Sequence, residues 1–167
     1  NFHNYFVPIF KFVKNILNKQ KKLIKESNIL ILKEQGVGDE ILFSSIYNDI
    51  FKNNFSNVKI ECDKRLLEIF ERSFKNNIFF PFGHYSSSKN KIKQFDNVLY
   101  AGSLTKYFRK NEANFNIKPY LKTSKKLDDK FGLLLKEFRS KKRIGISWKS
   151  VVNIIGGLKS LKLIDFK

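Results

Sequence analysis

Methionine is absent from the 167 residues, and cysteine occurs once, at Cys62. Position 1 is therefore not an initiator, and the chain reads as processed or as a fragment. A single cysteine cannot close an internal disulfide. Within a strand pattern it is a small core residue rather than a nucleophile. No apolar run approaches the roughly 20 residues that span a bilayer. Asn1 to Val13 lacks the basic start and small-residue cleavage site of a signal peptide, so the cytoplasm is the expected compartment. The two histidines, His3 and His84, are far apart and unaccompanied. Neither has the company a metal needs, so no metal or other cofactor is expected.

Acidic residues are also few: 15 against 33 lysines and arginines, a formal charge of +18. Such a balance invites a nucleic-acid reading. The lysines, however, run along the whole chain, and Asn, Ile and Phe are inflated with them, as codons rich in A and T require. A binding stripe concentrates arginine and aromatics on one face. The arginines here are Arg65, Arg72, Arg109, Arg139 and Arg143. The expectation is therefore no nucleic-acid partner. Attraction to an anionic membrane surface is the other use of such charge.

What is present is enough for a core. Apolar residues make up 42% of the chain, with 18 phenylalanines, so a domain of ordinary size can form. In residues 9–25, Ile9, Phe12, Val13, Ile16, Leu17, Leu23 and Ile24 recur at helical spacing, with lysines opposite. This basic amphipathic helix packs on its own domain, links to one upstream, or touches a membrane peripherally. Residues 1–27 are set apart on that basis.

From residue 28 an alternation begins. ILILK predicts a strand, and Glu40 to Lys52 a helix. VKIEC (58–62) is a second strand, and Asp63 caps a helix to Phe74. Ile78 to Phe82 is a third strand, 83–94 a polar loop, and NVLYA (97–101) a fourth strand. Gly102-Ser103 and a short helix follow, then an irregular stretch over 110–126. A helix is expected from Leu127 to Phe138, a strand over IGISW (144–148), a loop over 149–160 and a helix start at Leu161. Strands alternating with helices imply an α/β, Rossmann-like open parallel sheet with helices on both faces. The expected organisation is that domain over 28–142 and, over 143–167, the opening of a second domain that the chain does not contain.

The turn KEQGVGDEIL lies where an open parallel sheet binds ligands, beyond the C-terminal end of a strand. Three uses compete. A triphosphate loop requires Gly-Lys-Ser/Thr; Asp39 and Glu40 stand there instead and repel phosphate. A dinucleotide fingerprint accounts for Gly36 and Gly38, with Glu61 or Asp63 to hold a ribose, but its third glycine falls at Ile41. In the third use a carboxylate, held ionised at a helix N-terminus, takes a proton from an incoming hydroxyl. Simple helix capping by Asp39 and Glu40 remains open beside these.

Four segments, KEQGVGDEILFSSIYNDI, VKIECDKRLLEIFERSF, AGSLTKYFR and IGISWKS, in this order and spacing, resemble the glycosyltransferase domain of bacterial tetratricopeptide-repeat proteins. That domain is related to the lipopolysaccharide heptosyltransferases of glycosyltransferase family 9. The similarity covers about residues 28–167. It implies a two-domain GT-B fold, with the acceptor on the N-terminal domain and a nucleotide-sugar donor on the C-terminal one. By resemblance Asp39 is the catalytic base. Gly36, Val37, Gly38, Glu40, Gly102 and Ser103 line the acceptor cleft. Ser147, Lys149, Lys159 and Ser160 lie on the donor phosphate side. The implied partners are a nucleotide-sugar and an acceptor that is a glycan, a lipid-linked sugar or a protein. No metal is implied. This polypeptide alone is expected to transfer no sugar.

Overall fold

The structure, a computed structural model, describes residues 27–33, 36–53, 55–74, 77–115, 118–150 and 157–166. The amphipathic helix expected over 9–25, and His3, lie outside them. The chain divides into two compact units, Asn1–Ser124 and Lys125–Lys167.

The first unit is built on four parallel strands: β1 (Asn28–Leu32), β2 (Asn57–Cys62), β3 (Phe79–Pro81) and β4 (Asn97–Tyr100), in the order β3-β2-β1-β4. The expected α/β parallel sheet is present. β1 is central, with Ile31 opposite Ile60 on one side and Leu99 on the other. Its run of apolar residues follows from that position, because a strand covered on both faces has no polar side to show. Ile29 to Leu32 are at most 3% exposed, each burial stabilising by about 2 kcal/mol.

The pleat divides these residues between two cores. Ile29, Ile31, Ile60, Cys62 and Leu99 join one cluster, shared with Tyr47, Phe70 and Phe74. Tyr47 comes from the helix α2 (Tyr47–Phe51) and Phe70 and Phe74 from α3 (Leu67–Phe74), while Val37, Ile41 and Phe43 of α1 (Val37–Ser44) pack against the cluster. Leu30, Leu32 and Val98 face the other way, against Ile92 of the short helix α4 (Lys89–Ile92). From β1 to β3 the chain moves one way across the sheet with its crossovers on the first face. It then reverses to reach β4, and the crossover changes face, as right-handed connections require. Helix α5 (Thr105–Phe108) follows β4 through a 3₁₀ turn, Ala101–Leu104.

Three expectations are corrected. The helix predicted from Glu40 to Lys52 starts earlier, at Val37, and is two helices, α1 and α2. At the break the N–H of Ile46 bonds to the carbonyl of Phe43 at 3.0 Å, three residues back. The Ser44 hydroxyl and the Tyr120 phenol both donate to the carbonyl of Ile41. Side-chain donors compete for the carbonyls that a continuous helix would use. The polar loop over 83–94 contains α4, one turn with one buried side chain, too short for a periodicity to show. Finally, 142–150 contains no strand. A strand exists through its ladder, and Ile144 and Ile146 remain 76% and 49% exposed.

The second unit holds helix α6 (Lys125–Leu134), which buries none of its residues, and the 3₁₀ turns Lys136–Phe138, Gly157–Lys159 and Leu163–Phe166. Among the described residues no helix is long and apolar enough to cross a membrane.

Candidate functional site

The strand order creates a crevice by itself. The chain leaves β1 towards β2 on one side, and β4 arrives on the other. The loops after β1 and β4 therefore part at the C-terminal edge, the place where open α/β sheets bind ligands. The Gly36–Asp39 turn follows β1, and Gly102-Ser103 follows β4. The two segments that the sequence singled out 66 residues apart by number (Gly36 and Gly102) thus flank one switch point.

At that edge Gly36 is the N-cap residue of α1, with extended backbone (φ −117°, ψ 162°). Its N–H donates to Asp39 Oδ2 at 3.1 Å, and Glu40 N–H donates to its carbonyl at 3.0 Å. Asp39 thereby caps its own helix. A Cβ at Gly36 would stand 3.2 Å from Asp39 Oδ2, so glycine lets the carboxylate fold back over the turn. A Cβ at Gly38 would meet nothing within 4 Å, leaving that backbone open to an approaching molecule. Asp39 is exposed. Its Oδ1 has no hydrogen-bond partner among the described residues.

Glu40, expected beside Asp39 in the cleft, faces inward and is 1% exposed. Its Oε2 accepts from Asp63 N–H at 2.8 Å, and Oε1 stands 3.3 Å from Lys33 Nζ without the alignment of a hydrogen bond. Glu40 therefore ties the start of α1 to the ends of β1 and β2. Lys33 also lies 3.8 Å from Asp63 and over the ring of Phe82. Asp63 caps the 3₁₀ turn Lys64–Leu66 through Arg65 N–H, and both of its oxygens accept from the Arg65 guanidinium at 2.9 Å. That hydrogen-bonded cation holds the Asp63 carboxyl well below the usual carboxylate range.

Glu61 is fully buried on the second face of the sheet. Its carboxylate accepts the N–H groups of Gly83, Tyr85 and Ser86 and so fastens the loop after β3. Gly83 occupies the left-handed region (φ 91°), which turns the chain towards those bonds. Glu61 and Asp63, the two acids considered for a ribose, are thus both engaged in holding the fold. Burial, then the charges of Glu40, Asp63 and Glu71, push the Cys62 thiol up to about 12. This is the behaviour of a core residue.

The sequence missed Lys33 and Arg109. Lys33 had only its position after a strand to recommend it. Arg109 had a better signal: it is an arginine in a lysine-biased chain. The described arginines of the first unit are all fixed by hydrogen bonds: Arg65 to Asp63, Arg72 to the Lys122 carbonyl and Glu68, Arg109 to Asp49. Bidentate and carbonyl-spanning contacts need the guanidinium fork, which lysine lacks. An open cavity of about 440 Å³ lies beside Arg109 and contains none of the sequence-predicted residues.

Within the second unit, Leu161 N–H donates to the Trp148 carbonyl at 2.8 Å, and Ser150 N–H to Ser160 Oγ at 2.9 Å. The stretches carrying Ser147 and Lys149 and carrying Lys159 and Ser160 are therefore side by side, with both lysines exposed. Residues 151–156 between them lie outside the described residues.

No family model, curated protein or solved structure matches this chain.

Proposed function

We propose that the first unit is the acceptor-side domain of a glycosyltransferase of GT-B type, working in the cytoplasm on a nucleotide-sugar and an acceptor hydroxyl. The observation that carries this reading is the juxtaposition of Gly36–Asp39 with Gly102-Ser103 at the switch point. An acceptor lying there meets an open backbone at Gly38 and the Oδ1 of Asp39.

In this reading Asp39 accepts the hydroxyl proton as the acceptor oxygen bonds to the anomeric carbon. The bond from that carbon to the nucleoside diphosphate breaks, and the diphosphate leaves with the electron pair. Glu40, Lys33 and Asp63 position the turn and do not touch substrate. By the same resemblance, Ser147, Lys149, Lys159 and Ser160 of the second unit are assigned to the donor phosphate side, as hydrogen-bond donors and cations. One observation favours a binding module instead: Asp39 Oδ2 already caps α1 through Gly36 N–H, a role that needs no chemistry.

The test is nucleoside diphosphate release from a panel of nucleotide-sugars by the protein carrying this unit, as wild type and as Asp39→Asn. Asparagine keeps an acceptor for Gly36 N–H but not the base. A fall in turnover of about 10²–10⁴-fold at unchanged thermal stability is expected. Unchanged turnover reduces Asp39 to a cap and overturns the assignment.

A further inference from the structure

The cavity beside Arg109 includes no residue of the Gly36 turn in its lining; it lies where the end of α2 meets the end of α5 and the segment after it. Its charges do not balance. Asp49 is neutralised by Arg109, which bonds it at 2.6 Å and also donates to the carbonyls of Ser45 and Phe108. The Arg109 side chain is 3% exposed. This neutral pair is a fixed wall. Lys52 and Lys110 also line the cavity, and neither has a carboxylate within ion-pair distance among the described residues. Asn114 lines it too. Its Oδ1 accepts from Lys110 N–H and Asn111 N–H, which turns its amide nitrogen into a committed donor. Tyr107 adds a ring and a hydroxyl.

The lining thus offers two ammonium groups, an amide donor and a phenol, against no free carboxylate. Donors in excess around a net positive charge select an anion with several acceptor oxygens. A volume of about 440 Å³ falls in the range of small-molecule sites, roughly 300–1,000 Å³, and exceeds what a bare oxyanion fills. We propose that this cavity binds a small phosphate monoester, such as a sugar phosphate. Lys52 and Lys110 hold the phosphate, Asn114 supplies a further donor, and Tyr107 packs on the organic portion. The inference is independent of the proposed transferase reaction.

The experiment is an amide NMR titration of the full chain at physiological salt with glucose 6-phosphate, and with inorganic phosphate in parallel. Saturable shifts confined to residues 49–53 and 107–114 are expected. Affinity should be weaker for inorganic phosphate, which leaves Tyr107 without a partner. Lys52→Gln with Lys110→Gln should lower affinity at least about tenfold, the loss of two charge-assisted bonds. The matched change Lys125→Gln with Lys126→Gln, on α6, should leave it unaltered. Shifts scattered over the lysines of the whole chain, or equal loss from both pairs of substitutions, would mean diffuse attraction to a +18 protein and overturns the site. Pelleting with phosphatidic acid vesicles separates a lipid headgroup from a soluble ester. Vesicle binding that depends on Lys52 and Lys110, without saturable binding of the sugar phosphate, also overturns it.

Discussion

Arg109 reaches across 60 residues of chain to meet Asp49 at 2.6 Å, and its second terminal nitrogen donates to the carbonyl of Ser45 at 3.1 Å. One side chain therefore neutralises α2 and satisfies a carbonyl at the break between α1 and α2. Truncation leaves Asp49 unpaired and that carbonyl without its donor. Asp49 is 33% exposed, so the loss falls at the low end of the usual range for a broken buried pair. Arg109→Ala should cost about 3 kcal/mol in urea unfolding. Arg109→Lys should recover only part, because a point charge cannot span both acceptors.

Glu61 presents a second long-range dependence. Three backbone N–H groups converge on its carboxylate from the loop after β3. Glu61→Gln keeps the shape but turns an amide NH₂ against one or more of those donors. A loss of about 2–3 kcal/mol is expected, the scale of buried donors left unsatisfied. Hydrogen exchange should quicken at Gly83, Tyr85 and Ser86 before it does in β1.

Cys62 offers a test of the core by reactivity. Its thiol is pushed up to about 12 by burial, against about 8.5 in an unfolded chain. The folded protein therefore holds this proton more tightly. The associated stability is whole below about pH 8.5 and is lost as pH rises towards 12. At pH 8 the native protein should not react with a thiol-specific disulfide reagent. One equivalent should react once denaturant is added.

Asp63 titrates in the opposite sense. The Arg65 guanidinium depresses its pKa in the folded state, below the ordinary value of about 3.9. Its contribution is therefore present above about pH 4 and is lost as pH falls below that. Asp63→Asn should unfold at lower urea than wild type at pH 7. The difference should narrow as the two are compared at steadily more acid pH. A constant gap would assign the effect to the cap geometry alone.

Much of the fold was legible because β1 and β4 are short apolar runs and β2 alternates apolar with polar residues, all separated by helical spacing; burial on both faces leaves the first signature in composition. The position of Gly36–Asp39 was legible for the same reason: a glycine turn after a strand can only lie at the C-terminal edge. The break at Ser45 was not, since its acceptor at Ile41 is taken by Tyr120 from far along the chain. IGISW has the alternation of a strand, but alternation supplies no partner. Glu40 was grouped with Asp39 because they are neighbours. On a helix, consecutive residues point about 100° apart, so one carboxylate faces solvent and the other faces Lys33 and Asp63.

The sequence by itself determined the order of the four strands, the burial of β1 and the pairing of a glycine turn with a helix start. These depend on side-chain periodicity, which is local. Only the tertiary structure decided which charges are buried and what they hold: Glu61 on its loop, Glu40 on β2, Arg109 on Asp49. A buried charge is stable only beside its partner, and here those partners lie 22 to 60 residues away.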